Sequence, residues 1–156
     1  MRRDFSHRFA FLVNEVAKLY GEQFDRAARE RIGLSRAQCR LLASLAAHGE
    51  PLSQAAIAAE MGLSAMGVAS LVDRMEAAGW VERRPSASDR RVNEIHLLPR
   101  AEQALDAAIA LSDELHARAL AGLTATERKS LVALLRKARE GLLALEGAAA
   151  PAEAGA

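Results

Sequence analysis

Residues 53–79 describe two short helices that have to meet at a sharp angle. Ser53 suits the N-cap of a helix over 54–61, and Gly62 ends it, because glycine alone takes the left-handed conformation without steric cost. Ser64 then caps a second helix over 65–78, which Gly79 closes in the same way. So tight a connection favours a near-perpendicular pair. Ala58 is small where the helices would approach, and Ile57, Met61, Leu63, Val68 and Leu71 supply the apolar contacts between them.

Capped helical pairs also occur in proteins that never touch DNA, so the next segment decides the reading. Residues 80–84 and 91–97 favour extended chain, and residues 85–89 have loop composition, so a two-stranded hairpin is expected. Residues 83–91 hold four arginines against one aspartate. An arginine-rich loop beside the second helix can reach phosphates or enter a narrow minor groove. With 21 basic and 20 acidic residues the net charge is only +1, so any grip on nucleic acid has to be local.

The flanks are helical. Phe5, Phe9, Leu12, Val16 and Leu19 recur at spacings of three and four, giving an apolar stripe on a long helix that runs to about Gly33. Ser35 with Gln38 reads as a capping box opening a helix that stops near His48. Pro99 suits the first turn of another helix, continued over 101–120. Thr124 with Glu127 opens a last one, with Leu131, Leu134, Leu135, Leu142 and Leu145 on its apolar side. The fold class expected is mainly α: an N-terminal dimerisation helix over 1–34, a DNA-binding segment over 35–98, C-terminal dimerisation helices over 99–146, and a disordered tail over 147–156 whose Ala, Gly, Pro and Glu show no periodicity. The apolar stripes exceed what one small domain can cover, which points to a homodimer.

Other classes find little support. Cys39 is the only cysteine and the four histidines lack ligand spacing, so neither a disulfide nor a metal site is expected. No glycine-rich phosphate loop or activated nucleophile stands out, so no catalytic residue is assigned and no cofactor is expected. No run approaches the roughly 18–20 apolar residues of a spanning helix, so a cytoplasmic protein without a membrane partner is expected.

Residues 71–84, Leu71-Val72-Asp73-Arg74-Met75-Glu76-Ala77-Ala78-Gly79-Trp80-Val81-Glu82-Arg83-Arg84, followed by Asp89-Arg90-Arg91, resemble the end of the recognition helix and the wing of the MarR regulators of bacteria. Leu34-Ser35 with Gln38 is similar to that family's start of helix two, whereas Leu97-Leu98-Pro99-Arg100-Ala101 departs from the Leu-Thr pair and glycine that often follow its last strand. The resemblance spans roughly residues 5–145 by order of elements, and its specific part is residues 54–98. It implies a winged helix-turn-helix, a triangular dimer with interlocked terminal helices, and a double-stranded, pseudo-palindromic operator. It further implies a small, often aromatic effector bound between the DNA-binding and dimerisation helices, and usually repression.

The candidate DNA-binding residues are Ser64, Met66, Ser70, Arg74, Arg83, Arg84, Asp89, Arg90 and Arg91. Ser64 caps the recognition helix where it faces the backbone. Ser70 and Arg74 lie opposite the apolar face, with an ion pair to a neighbouring acid the alternative for Arg74. Met66 shares the start of that helix with Ala65, Gly67 and Ala69, a stretch poor in hydrogen-bonding groups. The resemblance gives Arg91 a minor-groove contact and Asp89 the role of orienting its guanidinium. Trp80 reads as hinge packing. Two alternatives remain beside the regulator: a winged-helix module that binds another protein, which would not need clustered arginines, and a thiol-based redox sensor acting through Cys39, against which stands the usual inertness of a lone cysteine in an apolar helix.

Overall fold

The computed structural model describes residues 4–148 and divides into two compact units, one to Leu115 and one from His116. The first holds α1 (Phe9–Arg31), α2 (Arg36–His48), β1 (Leu52–Ser53), α3 (Gln54–Met61), α4 (Ala65–Ala77), β2 (Val81–Pro85), β3 (Asn93–Leu97) and most of α5 (Pro99–Ala119). The second holds the end of α5 and α6 (Ala125–Ala148).

The caps form as their residues require. Ser35 and Gln38 exchange both bonds of a capping box, the Ser53 hydroxyl accepts from the Ala56 N–H at 3.1 Å, and Gly62 sits at φ 64° behind α3. The axes of α3 and α4 break by 112°, within the range of helix-turn-helix pairs. Ile57, Val68, Val72 and Met75 fill the angle and are fully buried, joined by Leu41 and Leu42 of α2, Val81 of β2 and Ile95 of β3. No single helix among the described residues is long and apolar enough to cross a membrane.

Several boundaries differ from expectation. The expected two-stranded hairpin is part of a three-stranded antiparallel sheet of order β1-β3-β2, in which Leu52 pairs with Ile95 and Ser53 with Glu94. Both long strands start later than expected: Pro85 still pairs with Asn93, while the Val92 N–H donates to the Asp89 carbonyl and keeps Arg91 and Val92 in the turn. The first helix begins at Phe9 because the Asp4 carboxylate accepts the Ser6 N–H at 2.8 Å, a local bond that competes with helix over residues 4–8. Helix α4 ends at Ala77, one residue early. Helix α6 takes in Gly147 and Ala148 of the expected tail, and residues 149–156 lie outside the described residues.

Within the first unit, α1 is fixed to α5 by a two-pronged Arg31–Glu114 ion pair at 2.6 and 3.0 Å and by a 2.9 Å bond between the Tyr20 and Ser112 hydroxyls. Phe9, Phe11, Val16 and Leu19 of α1 nevertheless stay exposed. In the second unit Leu134, Leu135, Leu142, Leu143 and Leu145 of α6 do the same. Large exposed apolar faces of this kind mark surfaces that meet another molecule.

Candidate nucleic-acid interface

Helix α4 buries one side in the core and leaves the other to solvent. At its start the Ser64 hydroxyl accepts the Gly67 N–H at 3.1 Å, so this side chain is engaged in capping. Met66, two residues on, is 82% exposed. One turn later the Arg74 guanidinium donates to the Ser70 hydroxyl at 2.9 Å. The alternative of an acidic partner for Arg74 gives way to this serine, which steers the guanidinium without neutralising it.

The wing contains two kinds of arginine. Arg91 lies at its tip with 90% of the side chain exposed, and Asp89 accepts from its backbone N–H at 3.0 Å and from Nε and Nη2 at 3.2 and 3.3 Å. Those bonds hold the Asp89 carboxyl below the usual carboxylate range. Arg90 beside it is exposed, and Arg84, also exposed, pairs with Glu82. Tucked beneath, Ser86 is buried, its N–H donating to the Val92 carbonyl at 2.8 Å and its hydroxyl lying 3.0 Å from that of Ser88.

Arg83 is the other kind. Its side chain is only 21% exposed and its guanidinium bridges Asp73 and Glu76 of α4, while its backbone N–H donates to Glu76 at 2.8 Å. With both ends of the fork taken by carboxylates, Arg83 is a tie between α4 and the wing, not an open phosphate ligand. Arg83→Ala should therefore weaken DNA binding without lowering its salt slope, since no phosphate contact is lost. Glu76→Gln, which cannot remove a DNA-binding cation, should weaken binding in the same direction, and salt titrations of both variants measure this. A slope reduced by about one unit in Arg83→Ala alone would make it a phosphate contact after all.

A second anchor was not legible beforehand. The Arg100 guanidinium stacks over the Trp80 ring at 4.1 Å and donates to the Ala78 carbonyl at 2.9 Å, at the C-terminal end of α4. Trp80 is thus packed at the hinge, as expected, with an arginine as its lid. On the other side of the helix-turn-helix, Arg40 of α2 donates to the Met61 carbonyl at 3.3 Å, just before the turn.

Between α1 and α2 lies a cleft of about 550 Å³, lined by Lys18, Arg26, Arg36 and Arg40 against Glu22 and Asp25, with Gly21 and Ala37. Asp25 accepts the Arg36 N–H at 2.7 Å at the start of α2. Cys39, in the same helix, is buried, and burial, assisted by the Asp25 charge, pushes its thiol up. A thiol so placed forms less of the reactive thiolate. Among the described residues no cluster of three or more histidine, cysteine or acidic groups could hold a metal ion.

The MarR family model matches residues 32–92, from just after α1 to the turn of the wing, ahead of β3. Wild-type MarR from E. coli superposes with a TM-score of 0.76 at 21% identity, covering 83% of this chain and 96% of that one. The MarR-family transcriptional regulator of Rhodococcus sp. RHA1 gives 0.75 at 25% identity, covering 86% and 96%. The transcriptional regulator BldR from Sulfolobus solfataricus gives 0.69 at 23% identity, covering 86% and 99%. The family model over the helix-turn-helix and the first strand and turn of the wing, with the fold shared along most of the chain, makes this a winged-helix protein similar to the MarR regulators.

Proposed function

We propose that the protein is a sequence-specific regulator of transcription, a repressor that grips a pseudo-palindromic duplex operator as a homodimer in the bacterial cytoplasm and responds to a small molecule. The similar Rhodococcus protein is a transcriptional regulator of the MarR family, which supports a regulator in preference to an enzyme. The observation that carries the reading is Arg91: a cation 90% exposed at the tip of a wing, aimed by Asp89 and tied through Arg83 to the exposed helix α4. In this reading Arg91 enters the minor groove, Arg74 and Ser70 meet the major groove or its phosphates, Arg84 and Arg90 meet phosphates, and the capped start of α4 at Ser64 faces the backbone. The exposed apolar faces of α1 and α6 support the homodimer.

The α1–α2 cleft supports a small effector. Its four cations against two carboxylates favour an anionic molecule, while an aromatic character rests on the family resemblance alone. The clustered wing arginines weigh against a module that binds only protein, and the buried Cys39 with its raised pKa weighs against a thiol sensor.

Arg91→Ala should weaken binding to a duplex selected from a randomised library by about 1–3 kcal/mol, by analogy with a good base-edge contact. Arg90→Ala should instead weaken all duplexes alike and lower the salt slope by about one unit per symmetric contact. Titrations over several salt concentrations on selected and random duplexes separate the two, with circular dichroism confirming the fold. An Arg91→Ala protein with wild-type affinities and slopes would remove the wing from the interface.

A further inference from the structure

We infer that the recognition helix reads the C5-methyl groups of thymine, and that Met66 is the side chain that reads them. The inference rests on the DNA-binding reading above and extends it to the kind of base recognised. The first turns of α4 offer the major groove almost nothing that can donate or accept. Ala65 and Ala69 have no polar side-chain atom, Gly67 has no side chain, and the Ser64 hydroxyl is engaged by the Gly67 N–H. The Ser70 hydroxyl accepts from Arg74 one turn further on.

What this stretch does present is Met66, whose 82% exposure is far beyond that of any other large apolar residue on α3 or α4. Neighbouring Leu63 is 38% exposed, while Ile57, Met61, Val68, Leu71, Val72 and Met75 are buried. An unbranched thioether with three rotatable bonds adapts to an irregular apolar surface. Among the base edges of the major groove, the only such surface is the thymine methyl. The bare Gly67 beside it removes the side chain that would hold the helix off the bases, and a Cβ there would crowd the Ser64 hydroxyl at 3.2 Å.

Removing that methyl without touching any hydrogen bond is a direct test: each thymine of the selected duplex is replaced in turn by deoxyuridine. Wild-type protein should lose about fourfold at one position in each half-site, and about fifteenfold when both half-sites are changed, from burial worth about 0.8 kcal/mol per methyl. Met66→Ser should bind the thymine and deoxyuridine duplexes equally, and Met66→Leu should retain the preference. Since Met66 is exposed, neither change should alter the circular dichroism spectrum.

Wild-type protein that binds the selected duplex but is indifferent to every thymine methyl would overturn the inference and leave DNA binding intact. Failure to bind any duplex would instead overturn the parent reading. A Met66→Ser protein that still prefers thymine, or that changes in sedimentation, would assign the methyl reading or the exposed side chain elsewhere and equally sink the proposal.

Discussion

Val16→Glu should give a folded protein that sediments as a monomer and binds the selected operator about 10²–10⁴-fold more weakly than wild type, because linking two half-site contacts in one particle multiplies affinity on that scale. Val16 is 63% exposed in the N-terminal half of α1, so a carboxylate there costs the single chain little. It shares α1 with the exposed Phe9, Phe11 and Leu19. Within an interface those groups would be desolvated, and an unpaired charge buried among them costs several kcal/mol. Sedimentation velocity and anisotropy titrations on the same preparation read both effects. A Val16→Glu protein that remains dimeric with full affinity would take α1 out of the dimer contact, and a monomer with full affinity would remove the need for a dimer.

Ile57→Ala should lower the unfolding free energy by about 2–5 kcal/mol, the usual cost of truncating a well-packed aliphatic side chain. Ile57 has no exposed surface and belongs to the buried cluster that includes Val68 and Val72 of α4, where α3 and α4 diverge by 112°. Rigid elements on both sides limit collapse around the lost methyls, which favours the upper part of that range. Denaturant unfolding at fixed protein concentration should show a lower midpoint with an unchanged slope. A loss below about 1 kcal/mol would mean that the angle is held by the Gly62 turn and the caps instead of by packing.

The helix-turn-helix was legible because its determinants are local. Ser53, Ser64, Gly62 and Gly79 act within a turn of where they stand, and each terminates or starts a helix within a residue of the expected place. Strand β1 was not, because two residues carry no alternation and Leu52–Ser53 become a strand only through pairing with β3. The wing arginines look alike in sequence yet divide in space into exposed ones and a largely covered one. Arg83 finds Asp73 and Glu76 seven to ten positions back, a match set by how β2 lies against α4. Arg100 over Trp80 is likewise invisible to any pattern of spacing, since it depends on where α5 starts after β3. The Asp89–Arg91 pair was expected from the family resemblance and not from spacing, and it forms as a contact between residues two apart in the turn.

That pair has a consequence for selectivity as opposed to grip. An aspartate beside Arg90 and Arg91 leaves the tip with one net positive charge where two arginines alone would give two, so indiscriminate attraction to any duplex is reduced. The same carboxylate restricts the rotamers of Arg91 before DNA arrives, and ordering such a side chain costs about 0.5–1.5 kcal/mol when it has to happen on binding. In the proposed role the wing thus gives up some attraction that every sequence shares and has less ordering left to do at the right one. A genome offers millions of wrong sites for each right one, and at those odds the ratio between the two affinities matters more than the strength of either.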